Sequence, residues 1–175
     1  MSRTPVETER LILRPYEESD RETMVRFYMD PAVMSGRKYG VRDEGDANTA
    51  FEVLLSHWHE HGFGLWAPVE KATGVVMGEL GLRYTDDPDQ VEVSYGLFEP
   101  HRGQGYATEG ALAALGYGFS ALGLEQIVAK SRGSNAVSHK VLEKIGMRFV
   151  EKRETEKHSH GVVSYVITRP EWVKG

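Results

Sequence analysis

The chain contains no cysteine among its 175 residues. That excludes a disulfide, a thiolate nucleophile and a cysteine-ligated zinc site, and it agrees with a cytoplasmic location. No apolar run is long enough to cross a bilayer, and the opening stretch MSRTPVETER lacks the apolar core of a signal peptide, so no membrane partner is expected. Internal repeats, low-complexity tracts and long linkers are missing too, and residues 1–175 read as a single domain. With 40% hydrophobic and 27% charged residues, the chain can bury one sizeable α/β or α+β core.

Positive charge is scarce over most of the sequence. The formal net charge is −5, and residues 1–99 alone sum to −9. Residues 100–149 carry +3 and residues 150–175 carry +1. The basic stretch holds Arg102, Lys130, Arg132, Lys140, Lys144 and Arg148. One local basic region on an acidic protein suits a compact polyanion better than a long duplex, so no nucleic-acid partner is expected.

TERLILRPYE alternates Leu11 and Leu13 against Arg10, Ile12 and Arg14, and is predicted as a strand. Ser19 or Asp20 is placed to cap a helix reaching about Met29, stopped by Pro31. A second helix is predicted from near Asp43 to His61, ended by Gly62. FGLWAPVE and VVMGELGLRY read as hairpin strands joined through Lys71–Gly74. VEVSYGLF is a fourth strand, with Val91, Val93, Tyr95 and Leu97 on one face and Glu92, Ser94, Gly96 and Phe98 on the other. The next helix carries Ala107, Ala111, Leu112, Leu115, Phe119 and Leu122 as an apolar stripe, with Gly123 at its end. QIVAKS is a strand, and NAVSHKVLEKIG a helix that buries Val137, Val141, Leu142 and Ile145. MRFVEKRE and GVVSYVIT close an α+β order with one β–α–β crossover.

Between the fourth strand and the helix after it lies HRGQGYATEG, residues 101 to 110. Glycine weakens regular structure, so such a cluster marks a backbone that must turn sharply or approach something closely. A helix N-terminus offers unpaired N–H groups and the positive end of the helix dipole, and both suit phosphate. A plain tight connection is the other use of such a turn. The dinucleotide pattern G-x-G-x-x-G fails here, because its third glycine falls at Thr108 and four strands already precede it.

Read from Arg102, R-G-Q-G-Y-A follows the pattern Q/R-x-x-G-x-G/A that opens a helix. Three further stretches stand around it in order: ETERLILRPYEESD, TGVVMGELGL and NAVSHKVLEKIGMRF. Together they resemble the GNAT superfamily of acyl-CoA N-acyltransferases, and within it the RimJ/RimL-like N-terminal acetyltransferases, over nearly the whole chain. The resemblance implies the GNAT fold, an α+β mixed twisted sheet of about seven strands flanked by about four helices. It implies acetyl-CoA as cosubstrate, no metal, and direct transfer of acetyl to a primary amine. The backbone from Arg102 through Gly103, Gln104, Gly105 and Tyr106 to Ala107 would hold the CoA pyrophosphate, with the Thr108 hydroxyl beside it. Leu97 and Phe98 are assigned to the cofactor as well, Asn135 to the pantetheine arm, and Ser138 to the CoA sulfur. Lys140 would meet the 3′-phosphate, unless it and Lys144 are simply solvated helix charges.

Asn135 has a second use, since Ser134 or Asn135 at this point can cap the helix. Ser138, one turn in, is not explained by capping. Many relatives keep a tyrosine seven residues after this Asn as proton donor to the thiolate; here that position is Leu142. For the acceptor, an α-amine of pKa about 7.7–8.0 is roughly a tenth neutral at pH 7, and a lysine amine is far below about 1% neutral. Glu92 is the leading candidate to take its proton, with Glu79 and His101 as runners-up, and a strand carboxylate facing solvent or an arginine as the structural alternative. HWHEH, residues 57 to 61, places His57 and His61 four apart. A solvated helix end fits them better than a zinc site shared with His158 and His160. The acceptor loops, roughly residues 30–45 and 84–90, carry no readable code, so a protein N-terminus and a small-molecule amine both fit. A homodimer is the oligomeric option. A catalytically silent acyl-CoA-binding or scaffold domain is the alternative function.

Overall fold

A computed structural model describes residues 5–156 and 158–174, without the side chains of His158 and Ser159. The chain runs β1 (Val6–Glu7), β2 (Leu11–Arg14), α1 (Arg21–Met29), α2 (Pro31–Met34), α3 (Glu44–His61), β3 (Leu65–Glu70), β4 (Gly78–Tyr84) and β5 (Val91–Leu97). It continues with α4 (Tyr106–Ser120), β6 (Gln126–Arg132), α5 (Ala136–Lys144), β7 (Arg148–Thr155), β8 (His158–Thr168) and α6 (Arg169–Lys174). The eight strands of these residues form one sheet in the order β1-β2-β3-β4-β5-β6-β8-β7. The class is α+β as expected, with one more strand and two more helices than the pattern indicated. The added elements are β1, two residues long, α2 and α6. Pro31 ends α1 but also starts α2, where its missing N–H costs nothing and Asp30 caps Ala32 N–H at 2.8 Å.

Helix α3 shows why the local sequence folds as it does. Asp43 Oδ1 accepts the Asp46 N–H at 2.8 Å at its start, and Gly62, at φ 72°, closes its end. Ala47, Phe51, Leu54 and Trp58 make its buried stripe. With α1 and α2 it covers one face of the sheet through Phe27, Met34, Phe51, Leu65 and Ala67. Helices α4 and α5 cover the other through Leu80, Leu82, Val93, Leu115, Leu142 and Ile145.

Two expected stripes are displaced. In α4 the buried positions are Tyr106, Gly110, Ala111, Ala114, Leu115, Gly118 and Phe119, while Leu112 is 38% exposed. The small residues bring this helix onto the sheet: a Cβ at Gly110 would sit 2.5 Å from Leu80 Cδ1. In α5 only Leu142 of the stripe within the helix is fully buried, with Ile145 just beyond it, and Val137 is 75% exposed.

One feature of the sheet positions everything that follows. All neighbouring strands are antiparallel except β5 and β6, whose parallel pairing is registered at Glu92–Val128 alone. Beyond that pair β6 bonds to β8 and β5 bonds to β4, so no ladder is registered between their C-terminal halves, and the opening between them is the candidate cleft.

Entry into α1 depends on a buried charge. Asp20, 5% exposed, binds both terminal nitrogens of Arg14 at 2.7 and 2.9 Å and accepts the Glu17 N–H at 2.8 Å. Burial pushes the Asp20 carboxyl up, but Arg14 and the Glu17 N–H outweigh it, and its pKa lies below the ordinary value. Its stabilisation is therefore present above the unfolded pKa of about 3.9 and disappears as pH falls through the lower folded value. Asp20→Ala is expected to cost about 2–4 kcal/mol in urea unfolding at neutral pH, with the gap to wild type narrowing sharply in acid. An equal gap at both pH values would contradict the assignment.

Candidate active site

The glycine-rich loop lies at the C-terminal end of β5 and the N-terminus of α4. Gly103 at φ 71° and Gly105 at φ 84° adopt left-handed conformations that other residues resist. Among the described residues, the N–H groups from Gly103 to Thr108 have no hydrogen-bond partner; the first bond of the helix is Glu109 N–H to Gly105 carbonyl, at 3.0 Å. Six consecutive donors thus stand at the positive end of a 15-residue helix. Arg102, expected in this set, is corrected out of it: its N–H donates to the Glu99 carbonyl at 3.1 Å. Its side chain also turns inward, to the carbonyls of Leu97 and Ala32, each at 2.9 Å. The Thr108 hydroxyl has no partner among the described residues, and the Gln104 side chain folds back to the Pro100 carbonyl at 2.8 Å.

A clamp that the sequence reading missed holds this loop from behind. Arg10 Nε and N–H both bond Glu109 at 2.7 Å, and Arg10 Nη1 donates to the Gln104 carbonyl at 2.8 Å. The Arg10 guanidinium lies 4.3 Å from the centre of the buried Tyr106 ring, whose hydroxyl bonds Glu70. Thr8 adds a bond to Glu109 at 2.6 Å. A Cβ on Gly105 would come within 3.2 Å of Arg10, whereas one on Gly103 would meet nothing within 4 Å. The loop is backed on one side and open on the other, a shape that takes an anion.

Across the cleft stands α5. Asn135 is its cap: Oδ1 accepts the Ser138 N–H at 3.0 Å, which leaves the side-chain amide hydrogens for another partner. Ser138 Oγ lies 3.0 Å from the Tyr95 hydroxyl of β5. Leu142 is 1% exposed and points into the core. Lys140 and Lys144 are exposed and form no ion pair among the described residues. At the end of β5, Leu97 receives Arg102, while the Phe98 N–H donates to the Met77 carbonyl at 2.9 Å and its ring packs edge-on against Phe27. Phe98 is thus a support on the far face.

That far face carries the carboxylates. Glu92, directly opposite Arg83 in the strand register, accepts the Arg83 Nε–H at 2.8 Å through Oε1, and its Oε2 has no partner among the described residues. It stands at the point where β5 and β6 separate. Glu79 is 2% exposed with both oxygens taken, one by Tyr28 at 2.6 Å and one by Arg37. His101 lies in the 3₁₀ turn Glu99–His101 that leads into the loop. Lys38 and Asp86, 2.9 Å apart, join the two loops that were expected to receive the acceptor.

The end of α3 is exposed at His59 and His61, as expected, but His57 is engaged by the fold. His57 Nδ1 bonds the Phe63 carbonyl at 2.8 Å, and Nε2 accepts the Tyr84 N–H at 3.2 Å. Burial lowers its pKa, and the His61 ring meets it edge-on with centres 4.6 Å apart. Among the described residues no group of three metal-capable side chains occurs; the His158 side chain lies outside them.

Residues 10–148 match the acetyltransferase (GNAT) domain family. The chain is 32% identical over 153 residues to YkkB of Bacillus subtilis (strain 168), covering 85% of this chain and 87% of that protein. It is 31% identical over 183 residues to the FsC-acetyl coenzyme A-N(2)-transacetylase of Aspergillus fumigatus, covering 95% of this chain and 77% of that protein. The crystal structure of an acetyltransferase from Agrobacterium tumefaciens superposes with a TM-score of 0.81 at 28% identity, over 95% of each chain. This chain belongs to the GNAT acetyltransferase family, whose members use acetyl-CoA as cosubstrate.

Proposed function

We infer that this protein, acting as a single domain, transfers acetyl from acetyl-CoA to a primary amine by direct attack, in the manner of the RimJ/RimL-like branch. The observation that carries the reading is the run of six amides from Gly103 to Thr108 that have no partner among the described residues. Their donors, with two glycines that let a ligand approach, suit the CoA pyrophosphate. The Asn135 amide hydrogens would meet the pantetheine arm, Lys140 the 3′-phosphate, and Ser138 the sulfur. When bound, acetyl-CoA supplies an activated acyl group whose leaving atom is sulfur. The Aspergillus relative's name specifies acetyl coenzyme A as donor and an N(2) nitrogen as acceptor, which supports an amine here.

Glu92 is the preferred proton acceptor for that amine. Its Oε2 has no partner among the described residues, whereas both oxygens of Glu79 are engaged. Arg83 keeps the Glu92 carboxylate oriented. The acceptor class, a protein N-terminal α-amine or a small amine, is decided by the loops joined through Lys38 and Asp86. Retention of both Ser138 and Glu92 beside an open cleft favours an enzyme over a silent acyl-CoA-binding domain.

Calorimetry with acetyl-CoA tests the central assignment. Gly105→Val is expected to weaken binding by about 10-fold to 100-fold, with the circular-dichroism spectrum retained. Unchanged affinity would remove the loop from the site. Thiol release over an amine panel, with mass spectrometry of the product, then identifies the acceptor. On that acceptor Glu92→Gln keeps a hydrogen bond from Arg83 but is expected to lower kcat/KM by about 100-fold. The loss should be greatest at low pH, where neutral amine is scarcest. A variant with the wild-type rate and pH profile would make Glu92 a structural partner of Arg83 only.

A further inference from the structure

Tyr95 and Ser138 are separated by 43 positions and reach each other from β5 and α5. Their hydroxyl oxygens are 3.0 Å apart, and Tyr95 Oη also lies 3.2 Å from the Ser138 carbonyl oxygen. Among the described residues neither hydroxyl has another hydrogen-bond partner. Two proton arrangements follow. In the first, Tyr95 donates to the Ser138 carbonyl, and Ser138 donates to Tyr95. In the second, Tyr95 donates to Ser138 Oγ, and the serine proton is released to point outward. Only the second presents a donor to a group in the cleft.

We propose, on the acetyl-CoA reading above, that Tyr95 is a positioning residue for the leaving group: its hydroxyl donates to Ser138 Oγ and so aims the serine proton at the CoA sulfur. As the acyl C–S bond breaks, its electron pair moves to sulfur, and Ser138 Oγ–H donates a hydrogen bond to the charge developing there. The proton that completes the thiol is the one the amine loses in becoming an amide, so both hydroxyls finish the turnover protonated. Burial supports this division of labour. It pushes the Tyr95 phenol up to about 12, whereas a thiol ionises near about 8.5. The phenol therefore holds its proton and serves as a fixed donor. Leu142, turned into the core, offers no competing donor from α5.

Sulfur-specific affinity isolates the effect. CoA and desulfo-CoA are compared by calorimetry from neutral pH to about pH 9.5, a range in which the thiol ionises. Wild type is expected to gain about 10-fold in affinity for CoA over desulfo-CoA across that range, and Ser138→Ala and Tyr95→Phe are both expected to lose the gain. In acetyl transfer, Tyr95→Phe should lower kcat by about 10-fold while changing the KM for acetyl-CoA less than about twofold. Added to Ser138→Ala, it should have no further effect, because the two residues act through one hydrogen bond. A Tyr95→Phe variant that keeps the sulfur-dependent gain, or that lowers kcat equally with and without Ser138, overturns the proposal and leaves the acetyl-CoA reading standing. Wild-type protein that binds neither CoA nor desulfo-CoA overturns that reading, and the proposal with it.

Discussion

Six backbone N–H groups in a row, held in place but without a hydrogen-bond partner among the described residues, are the constraint on which the site depends. A helix start always leaves such donors. What distinguishes this one is how firmly it is fixed. Two left-handed glycines extend the run by three residues before the helix begins, and Arg10, Glu109 and Thr8 clamp it from one side. Arg102 ties the preceding turn to β5 and to α2. The donors are therefore preorganised, and a ligand does not have to order them. The small residues of α4 serve the same end, since Gly110 lets the helix lie against Leu80 and sets where its N-terminus falls.

The second constraint is the parting of β5 and β6. A sheet normally shields one face from the other. Here the ladder is registered at Glu92–Val128 only, so a group held on the α4–α5 side can meet one arriving from the α1–α3 side. The two faces differ chemically. The first offers amides, Asn135 and Ser138. The second carries ion-paired carboxylates, the buried Glu79 with Arg37 and the largely buried Glu92 with Arg83, and the partner offsets part of the cost of burying each charge.

Much of the fold was legible in the sequence because it rests on local signals. Asp43 and Gly62 bound α3, and the alternation in VEVSYGLF correctly sends Val91, Val93 and Leu97 to one core and Phe98 to the other. The α4 stripe was misplaced because hydrophobicity alone favours Leu112, whereas close packing selects Gly110, Ala114 and Gly118. Helix α2 was missed because Pro31 signals both an end and a beginning. In the site, the motif around Gly103 and Gly105 was readable, but its support was not. Arg10 meets Glu109 across 99 positions and Tyr95 meets Ser138 across 43, and no local pattern encodes either contact. Arg102 shows the converse error: its place in the motif suggested a donor to the ligand, while its amide and side chain both bind the protein.

The most direct measurement is amide NMR of the protein titrated with acetyl-CoA. If the loop is the anion site, the N–H resonances from Gly103 to Thr108 move downfield together as the donors gain charged acceptors, and the Arg102 resonance, already bonded to Glu99, moves little. Saturable binding with those six resonances unmoved, and the shifts elsewhere on the surface, would contradict it.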